Sequence, residues 1–327
     1  MHATRSLSRS LSRSATQSLV AGAALVALSA GLTACGEDAA SQDATTPTAG
    51  EPVEIADVGT VEVDDALAEA LPAEVADAKE VTVATNAPYP PFIDFVEEGN
   101  TEDFTGLDHD LVVAIAARLG IAAEFQQQPF DGLVPGLQAG KYDAIVGGIT
   151  DNFERQQTAT FVDYSASGTG IAVAAGNPEG IATLADLCGT SVAAQKASKQ
   201  VGLLEDFSAE ECSGDDIEVT EYPQNTDAVQ ALLAGKADAI AATRVNLLED
   251  AEKLTGKVEV VDDPEAPNGY QASPNGIGFV KDDAELAEAF RAALQALIDD
   301  GTYDEVLAKY GQEAIAIDEA TIDAAID

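Results

Sequence analysis

Arg155 follows the run VGGITDNFE (146–154), in which an apolar stretch gives way to two glycines and a threonine. Cations are scarce: 16 Lys and Arg stand against 58 Asp and Glu, for a formal charge of -42. Gly147 and Gly148 lack side chains, so backbone N–H groups there can approach a ligand closely. Thr150 adds a hydroxyl, and a helix starting at DNFERQQ (151–157) would turn free N–H groups and its dipole toward an anion. The planar fork of Arg155 matches a carboxylate. Together these residues describe a carboxylate-binding pocket. A surface ion pair of Arg155 with Asp151 or Glu154 is the competing reading, and for the arginine taken alone it is the stronger one.

Other chemistries find less support. His2 lies near the start, and His109 stands between Asp108 and Asp110 just before a helical stretch. A metal site wants more ligands than Asp-His-Asp supplies, so Asp108 or Asp110 is read as a helix cap and His109 as solvated. There is no G-x-S-x-G, no Cys–His pair and no P-loop. Carboxylate pairs are too common in so acidic a chain to carry information. No catalytic residue, metal or cofactor is assigned. The negative charge also excludes nucleic acid, whose binding rests on Lys and Arg at phosphates.

The elements that position Arg155 read as alternating strand and helix. Val81–Ala84 is a short β-branched run, and the Pro-rich NAPYPPF (86–92) follows it. In DHDLVVAIAARLG (108–120), Leu111, Ile115 and Leu119 recur at helical spacing and Gly120 supplies a stop. Residues 122–130 read as strand plus loop, 131–140 as a short helix and 142–148 as a strand. The alternation predicts an α/β fold with a mostly parallel sheet. An internal echo extends it. LQAGKYDAIVGGITD (137–151) and LLAGKADAIAATRVN (232–246) share A-G-K-x-D-A-I, which predicts two domains of similar local design. Ligands of open α/β sheets bind beyond the carboxyl ends of strands. Gly147, Gly148, Ile149 and Thr150 on one side would then face Ala242, Thr243 and Arg244 across an interdomain cleft.

The ends and the cysteines complete the reading. Arg5, Arg9 and Arg13 precede the apolar stretch 19–35, as in a secretory signal (1–34). Leu32-Thr33-Ala34-Cys35 resembles the lipobox of bacterial lipoproteins, in which the cysteine is acylated; an ordinary cleavage site with an incidental cysteine is the alternative. Residues 35–78 read as an acidic flexible tether holding a short helix at 64–75. Cys188 and Cys212 then remain as a pair in an oxidising compartment. Bridged, they would close a loop of about 25 residues and contribute about 3 kcal/mol; two reduced, buried thiols are the alternative.

From about Val81 to Gly311 the chain resembles the periplasmic-type solute-binding proteins of amino-acid ABC importers. The resemblance lies in VATNAPYPPF (83–92), FTGLDHDLVVAIAARLG (104–120), residues 129–164, LADLCGTSVAAQKASKQ (184–200), ALLAGKADAIAATRVN (231–246), NGIGFVKDD (275–283) and DGTYDEVLAKYG (300–311). It implies a two-lobed periplasmic-binding-protein type II fold, each lobe a mixed sheet flanked by helices, with two hinge crossings. Lobe 1 would span 79–167 plus 274–312, lobe 2 would span 168–273, and 313–327 would form a C-terminal tail on lobe 1. It also implies roles: Tyr89 and Phe130 pack on the ligand, Gly148 and Thr150 meet it, and Arg155 binds its carboxylate. Ser198 and Lys199 hold the same carboxylate from a helix N-terminus, and Gln195 selects the side chain. Thr243, followed by Arg244, stands where many members carry the aspartate that binds the α-ammonium. Asn86 stands where lysine- or glutamine-binding relatives often carry an acid. Either Asp94 or Asp131 then holds the ammonium or the ligand is not a standard α-amino acid, and Lys199 with Arg244 would suit a second acidic group. The implied protein is a monomer on the outer face of the cytoplasmic membrane, lipid-anchored through Cys35, that hands its solute to an ABC permease and ATPase. The alternatives are an enzyme on the same fold, dehydratase-like or peptidoglycan-acting, and a ligand sensor for a membrane kinase.

Overall fold

Apolar residues alternate with polar ones soon after residue 50, and the chain folds from there. The computed structural model describes residues 48–97, 99–281 and 283–326. The expected signal, Cys35 and the first part of the expected tether lie outside the described residues. The rest of that segment corrects the expectation of a flexible tether. Strands β1 (Val53–Ile55) and β2 (Gly59–Val61) form a hairpin whose Ile55 and Val61 are buried. Helices α1 (Asp65–Ala68) and α2 (Ala73–Ala78) follow, with Leu67, Leu71 and Val75 against the lobe 1 core. Asp64 caps α1 by accepting the N–H groups of Ala66 and Leu67.

Lobe 1 is built on β3 (Glu80–Thr85), the short pair β4 (Asp94–Phe95) and β5 (Phe104–Thr105), α3 (Leu107–Arg118), β6 (Ala122–Gln127), α4 (Phe130–Gln138) and β7 (Ala144–Val146). β3 lies between β6 and β7, parallel to both, with Val83 opposite Phe125 and Ala144. The stripe Leu111, Ile115 and Leu119 is buried, and Gly120 ends the turn at φ +69°, which glycine adopts without a Cβ penalty. A single turn, α5 (Phe153–Gln156), precedes the long strand β8 (Ala159–Ala174), which leaves lobe 1 for lobe 2.

Lobe 2 contains β9 (Ser191–Gln195), α6 (Lys199–Glu211), β10 (Glu218–Tyr222), α7 (Asn225–Leu233), β11 (Ala239–Thr243), α8 (Arg244–Lys253) and β12 (Val258–Val260). The return crossing, β13 (Tyr270–Val280), runs antiparallel to β8, with Thr169 opposite Tyr270 and Ala159 opposite Val280. Gly168 and Gly269 abut at this crossing. A Cβ on Gly168 would lie 2.5 Å from the carbonyl carbon of Gly269, and one on Gly269 would lie 2.7 Å from that of Gly168. Helices α9 (Ala284–Asp300) and α10 (Thr302–Lys309) close lobe 1, and β14 (Thr321–Ile322) of the tail pairs with β8. One hydrogen-bonded path, β10-β9-β11-β8-β13-β7-β3-β6, runs through both lobes.

The echoed sequence has a structural meaning. In lobe 1 the carboxylate of Asp143 accepts the N–H and hydroxyl of Thr82 at 2.7 and 2.8 Å, pinning β7 to the start of β3. In lobe 2 Asp238 accepts the N–H and hydroxyl of Ser191 at 2.8 and 2.7 Å, pinning β11 to the start of β9. Each lobe has its own apolar core: Val83, Phe92, Leu111, Phe290 and Tyr303 in lobe 1, Ile171, Val192, Leu204 and Ala241 in lobe 2. Cys188 and Cys212 form the expected disulfide across lobe 2, with Cα atoms 5.3 Å apart.

Candidate functional site

The carboxyl ends of β3 and β7 carry Thr85, Asn86 and the Gly147–Gly148 pair, and those of β9 and β11 carry Gln195 and Thr243. The two edges meet. The hydroxyl of Tyr89 donates to Thr243 Oγ1 at 2.9 Å and accepts the Thr243 N–H at 3.1 Å. Burial pushes the Tyr89 phenol up to about 12, so it remains a donor at neutral pH. Asn246 Nδ2 donates to the Pro90 carbonyl at 2.6 Å. Lys196 pairs with Asp131 at 2.8 Å and Lys253 with Asp94 at 3.5 Å, each lysine from lobe 2 and each acid from lobe 1. Asp94 and Asp131, one of the two alternatives for the ammonium, each face a lysine of the other lobe.

Arg155 lies at this junction. Its NH1 donates to the Thr150 carbonyl at 2.7 Å and its NH2 to the Ala197 carbonyl in lobe 2 at 3.1 Å, and its guanidinium carbon stands 5.3 Å from the centre of the Phe130 ring. Ala197 holds a left-handed φ of +61° just before α6, which turns its carbonyl into reach. A cavity of about 790 Å³ opens beside these groups, lined by Phe130, Glu154, Arg155, Ser198, Lys199 and Gln271 among others. Ser198 is the N-cap of α6, and its Oγ is buried without a partner. Lys199 Nζ reaches the Gln271 carbonyl at 3.3 Å.

Several expectations are corrected. The helix expected at 151–157 is the four-residue α5, and Asn152 Oδ1 caps it by accepting the Arg155 N–H at 2.8 Å, so no anion site stands at that terminus. The Gly148 N–H, expected to meet a ligand, donates instead to Asp108 Oδ2 at 2.8 Å. Asp108 is no helix cap: it is fully buried beneath the glycine pair, and desolvation pushes its carboxyl up to about 7 against the N–H groups and the Tyr164 hydroxyl that favour its ionised form. Asp110 does not cap either. It accepts from Lys309 Nζ and the Tyr310 hydroxyl, each at 2.7 Å, and lies 3.0 Å from His109 Nδ1. Burial opposes its ionisation, but these hydrogen bonds hold its carboxyl below the usual range. His109 is not fully solvated, since its ring packs 4.8 Å from that of Phe125. Arg244, expected at the cleft edge, donates to the Val261 carbonyl at 3.1 Å and lies 3.5 Å from Asp262.

The remaining residues fall as follows. Gln195 is buried at the end of β9, opposite Tyr222. Thr150 is buried and bridges to Asn275 of the return strand. Asn86 is buried over Gly147, with neither amide atom bonded. Sequence reasoning missed Asn246, Ala197, Lys196 and Gln271. Asn246 and Ala197 did lie inside the quoted segments, at the expected strand ends, but nothing in their residue types marks a contact to the other lobe.

Residues 81–313 match the bacterial extracellular solute-binding proteins, family 3. The arginine-binding protein ArgT of Corynebacterium glutamicum is 33% identical over 255 residues, covering 77% of this chain and 81% of that protein. Among solved structures, an ancestral arginine-binding protein bound to glutamine aligns with a TM-score of 0.63 at 32% identity, covering 72% of this chain and 99% of that one. An ancestral amino acid-binding protein described as a precursor of cyclohexadienyl dehydratase aligns with the same TM-score of 0.63 at 29% identity, covering 72% and 97%. With two αβ lobes on paired crossing strands and a match over most of the folded body, the chain belongs to the bacterial extracellular solute-binding proteins of family 3, which have the type II periplasmic-binding-protein fold.

Proposed function

We propose that this protein captures a small carboxylate-bearing, amino-acid-like solute between its lobes and delivers it to an ABC permease and its ATPase from a lipid anchor at Cys35. The observation that carries the reading is the placement of Arg155: a lobe 1 guanidinium reaching Ala197, next to the N-cap of α6 in lobe 2, at the wall of the cavity of about 790 Å³. Arginine offers five N–H donors in a planar fork suited to carboxylate. Opposite it, the first turn of a 13-residue helix adds the positive end of its dipole and the Ser198 hydroxyl. A carboxylate held by both binds best when the lobes are closed, so the solute stabilises closure by its differential affinity. The names of the relatives, which are amino-acid-binding proteins, support a solute of this class. The second reading is an enzyme on the same fold, raised by a structural neighbour that is an amino acid-binding protein described as the precursor of a dehydratase.

Calorimetric titration with L-amino acids tests the grip. Arg155→Ala should weaken the tightest ligand by about tenfold to a hundredfold, the span expected for hydrogen bonds to a charged group. Unchanged affinity would remove Arg155 from the role. Recovery of the ligand unaltered after long incubation is expected; chemical turnover would establish the enzymatic reading instead.

A further inference from the structure

Buried polar atoms without partners gather on the lobe 1 edge of the cleft. Asn86 is only 4% exposed, yet neither its Nδ2 nor its Oδ1 has a hydrogen-bond partner, and the adjacent Thr85 Oγ1 has none. All three stand at the carboxyl end of β3, and Gly147 follows β7 beside them. A Cβ on Gly147 would overlap Asn86 Oδ1 and lie 3.2 Å from Thr85 Oγ1, so the absence of a side chain there makes room for the amide oxygen and the hydroxyl together. A buried donor or acceptor left unmet bears the full desolvation cost of that group, and nearly all such groups in folded proteins find partners. Three unmet atoms on two neighbouring residues at one strand end therefore mark the place where a bound molecule completes the set.

The chemistry of that molecule follows from the amide. Asparagine presents a donor and an acceptor side by side and no charge. Another donor–acceptor pair, a carboxamide or a ureido group, satisfies both at once. A guanidinium or ammonium would satisfy Oδ1 and Oγ1, but it would leave the Nδ2 donor facing a cation and a buried charge without a counter-ion. Neither Thr243 nor Asp108 supplies one. Thr243 is neutral and shares its hydroxyl with Tyr89, while the Asp108 carboxylate lies behind the glycine pair, turned to the Gly148 N–H. Building on the carboxylate grip proposed above, we infer that the site selects an amino-acid-type carboxylate whose far end is a neutral carboxamide or ureido group, with Asn86 as the selecting residue. Guanidinium and ammonium side chains are disfavoured, although the relative from C. glutamicum is an arginine-binding protein.

The test is titration calorimetry of the mature protein with four probes: L-glutamine, L-citrulline, L-arginine and L-lysine. Glutamine or citrulline is expected to bind at least about tenfold more tightly than either cationic probe, as one lost buried hydrogen bond implies. Asn86→Asp, checked for folding by thermal melting, should move the ratio at least about tenfold toward arginine or lysine. Should that variant fail to fold, Asn86→Ser serves instead and should weaken glutamine and citrulline more than the cationic probes, moving the ratio in the same direction. Arginine or lysine matching both neutral probes in the wild type would overturn the inference, as would binding of none of the four, or a ratio unmoved by the substitution. Arg155→Ala run in parallel separates the two readings. Loss of all four ligands in Arg155→Ala together with an arginine-favouring ratio in the wild type refutes only the selection by Asn86, whereas binding retained in Arg155→Ala together with a wild-type ratio that favours the neutral probes and shifts with residue 86 refutes only the carboxylate grip.

Discussion

Asp163 offers a direct measure of how the tail is held on the hinge strand. It lies on β8 opposite Thr321 of β14 and is 1% exposed. Its Oδ2 accepts the Thr321 hydroxyl and the Ala324 N–H, each at 3.1 Å, while Oδ1 is buried without a partner. Desolvation first, then the nearby charges of Asp151 and Asp323, push its carboxyl up to about 7 from an ordinary value of 3.8. A carboxyl with a raised folded-state value binds its proton more tightly in the native protein than in the unfolded chain. Its contribution to stability is therefore full below about pH 3.8 and is lost as pH rises to about 7. The shift corresponds to about 4 kcal/mol as an upper bound, of which about 3 kcal/mol falls between pH 4.5 and 7.5. Asp163→Asn keeps an acceptor for Thr321 and Ala324 and removes the ionisation. Urea unfolding at fixed ionic strength across this range should show the variant losing about 3 kcal/mol less than the wild type. Asp108 and Asp250, pushed up to about 7 and about 6 mainly by burial, titrate in both proteins and cancel in the difference. Stability curves that run parallel from pH 4.5 to 7.5 would refute the reasoning.

Replacing both cysteines of the Cys188–Cys212 bridge with serine should lower stability by about 3 kcal/mol, the chain-entropy value for a loop of this length, read as a fall in the urea midpoint; an unchanged midpoint would show that the bridge constrains nothing. Cys35→Ala, expressed in a host that acylates lipoproteins, should shift the protein from the membrane fraction to the medium, and retention on the membrane would remove Cys35 from the anchoring role.

The fold was legible because its local signals agree. The β-branched run at 81–84, the stripe of α3 with its terminal glycine and the echoed A-G-K-x-D-A-I all point to αβ units, and the echo matches one hydrogen-bonding device used twice, at Asp143 and Asp238. The disulfide followed from cysteine number and the expectation of export. The residues at 51–78 were misread because their acidic, aromatic-poor composition resembles a tether, while their packing depends on a few aliphatic side chains reaching a distant core. Asp108 and Arg244 were misassigned for a related reason: spacing placed them at the right elements but gave no information on which face their side chains take. At Asp108 the deciding partner, Gly148, is 40 residues away. The free N–H groups expected near Arg155 were likewise satisfied by short side chains, Asn152 and Asp108, whose reach is invisible in a residue pattern.

Gly168 and Gly269 touch backbone to backbone, so the chain enters and leaves lobe 2 through a doorway one hydrogen bond wide, the Gly168 N–H to the Asn268 carbonyl at 2.9 Å. Between them lie two apolar clusters of lobe 2, while Val245 packs into the lobe 1 cluster across the cleft. Topologically, lobe 2 is a cassette spliced into lobe 1 at a single point. Half of the ligand-facing surface can thus be exchanged as one uninterrupted stretch of sequence without reopening the core of the other half. The same doorway admits nothing bulkier than a hydrogen at either glycine, which makes that pair the one seam any such exchange must leave intact.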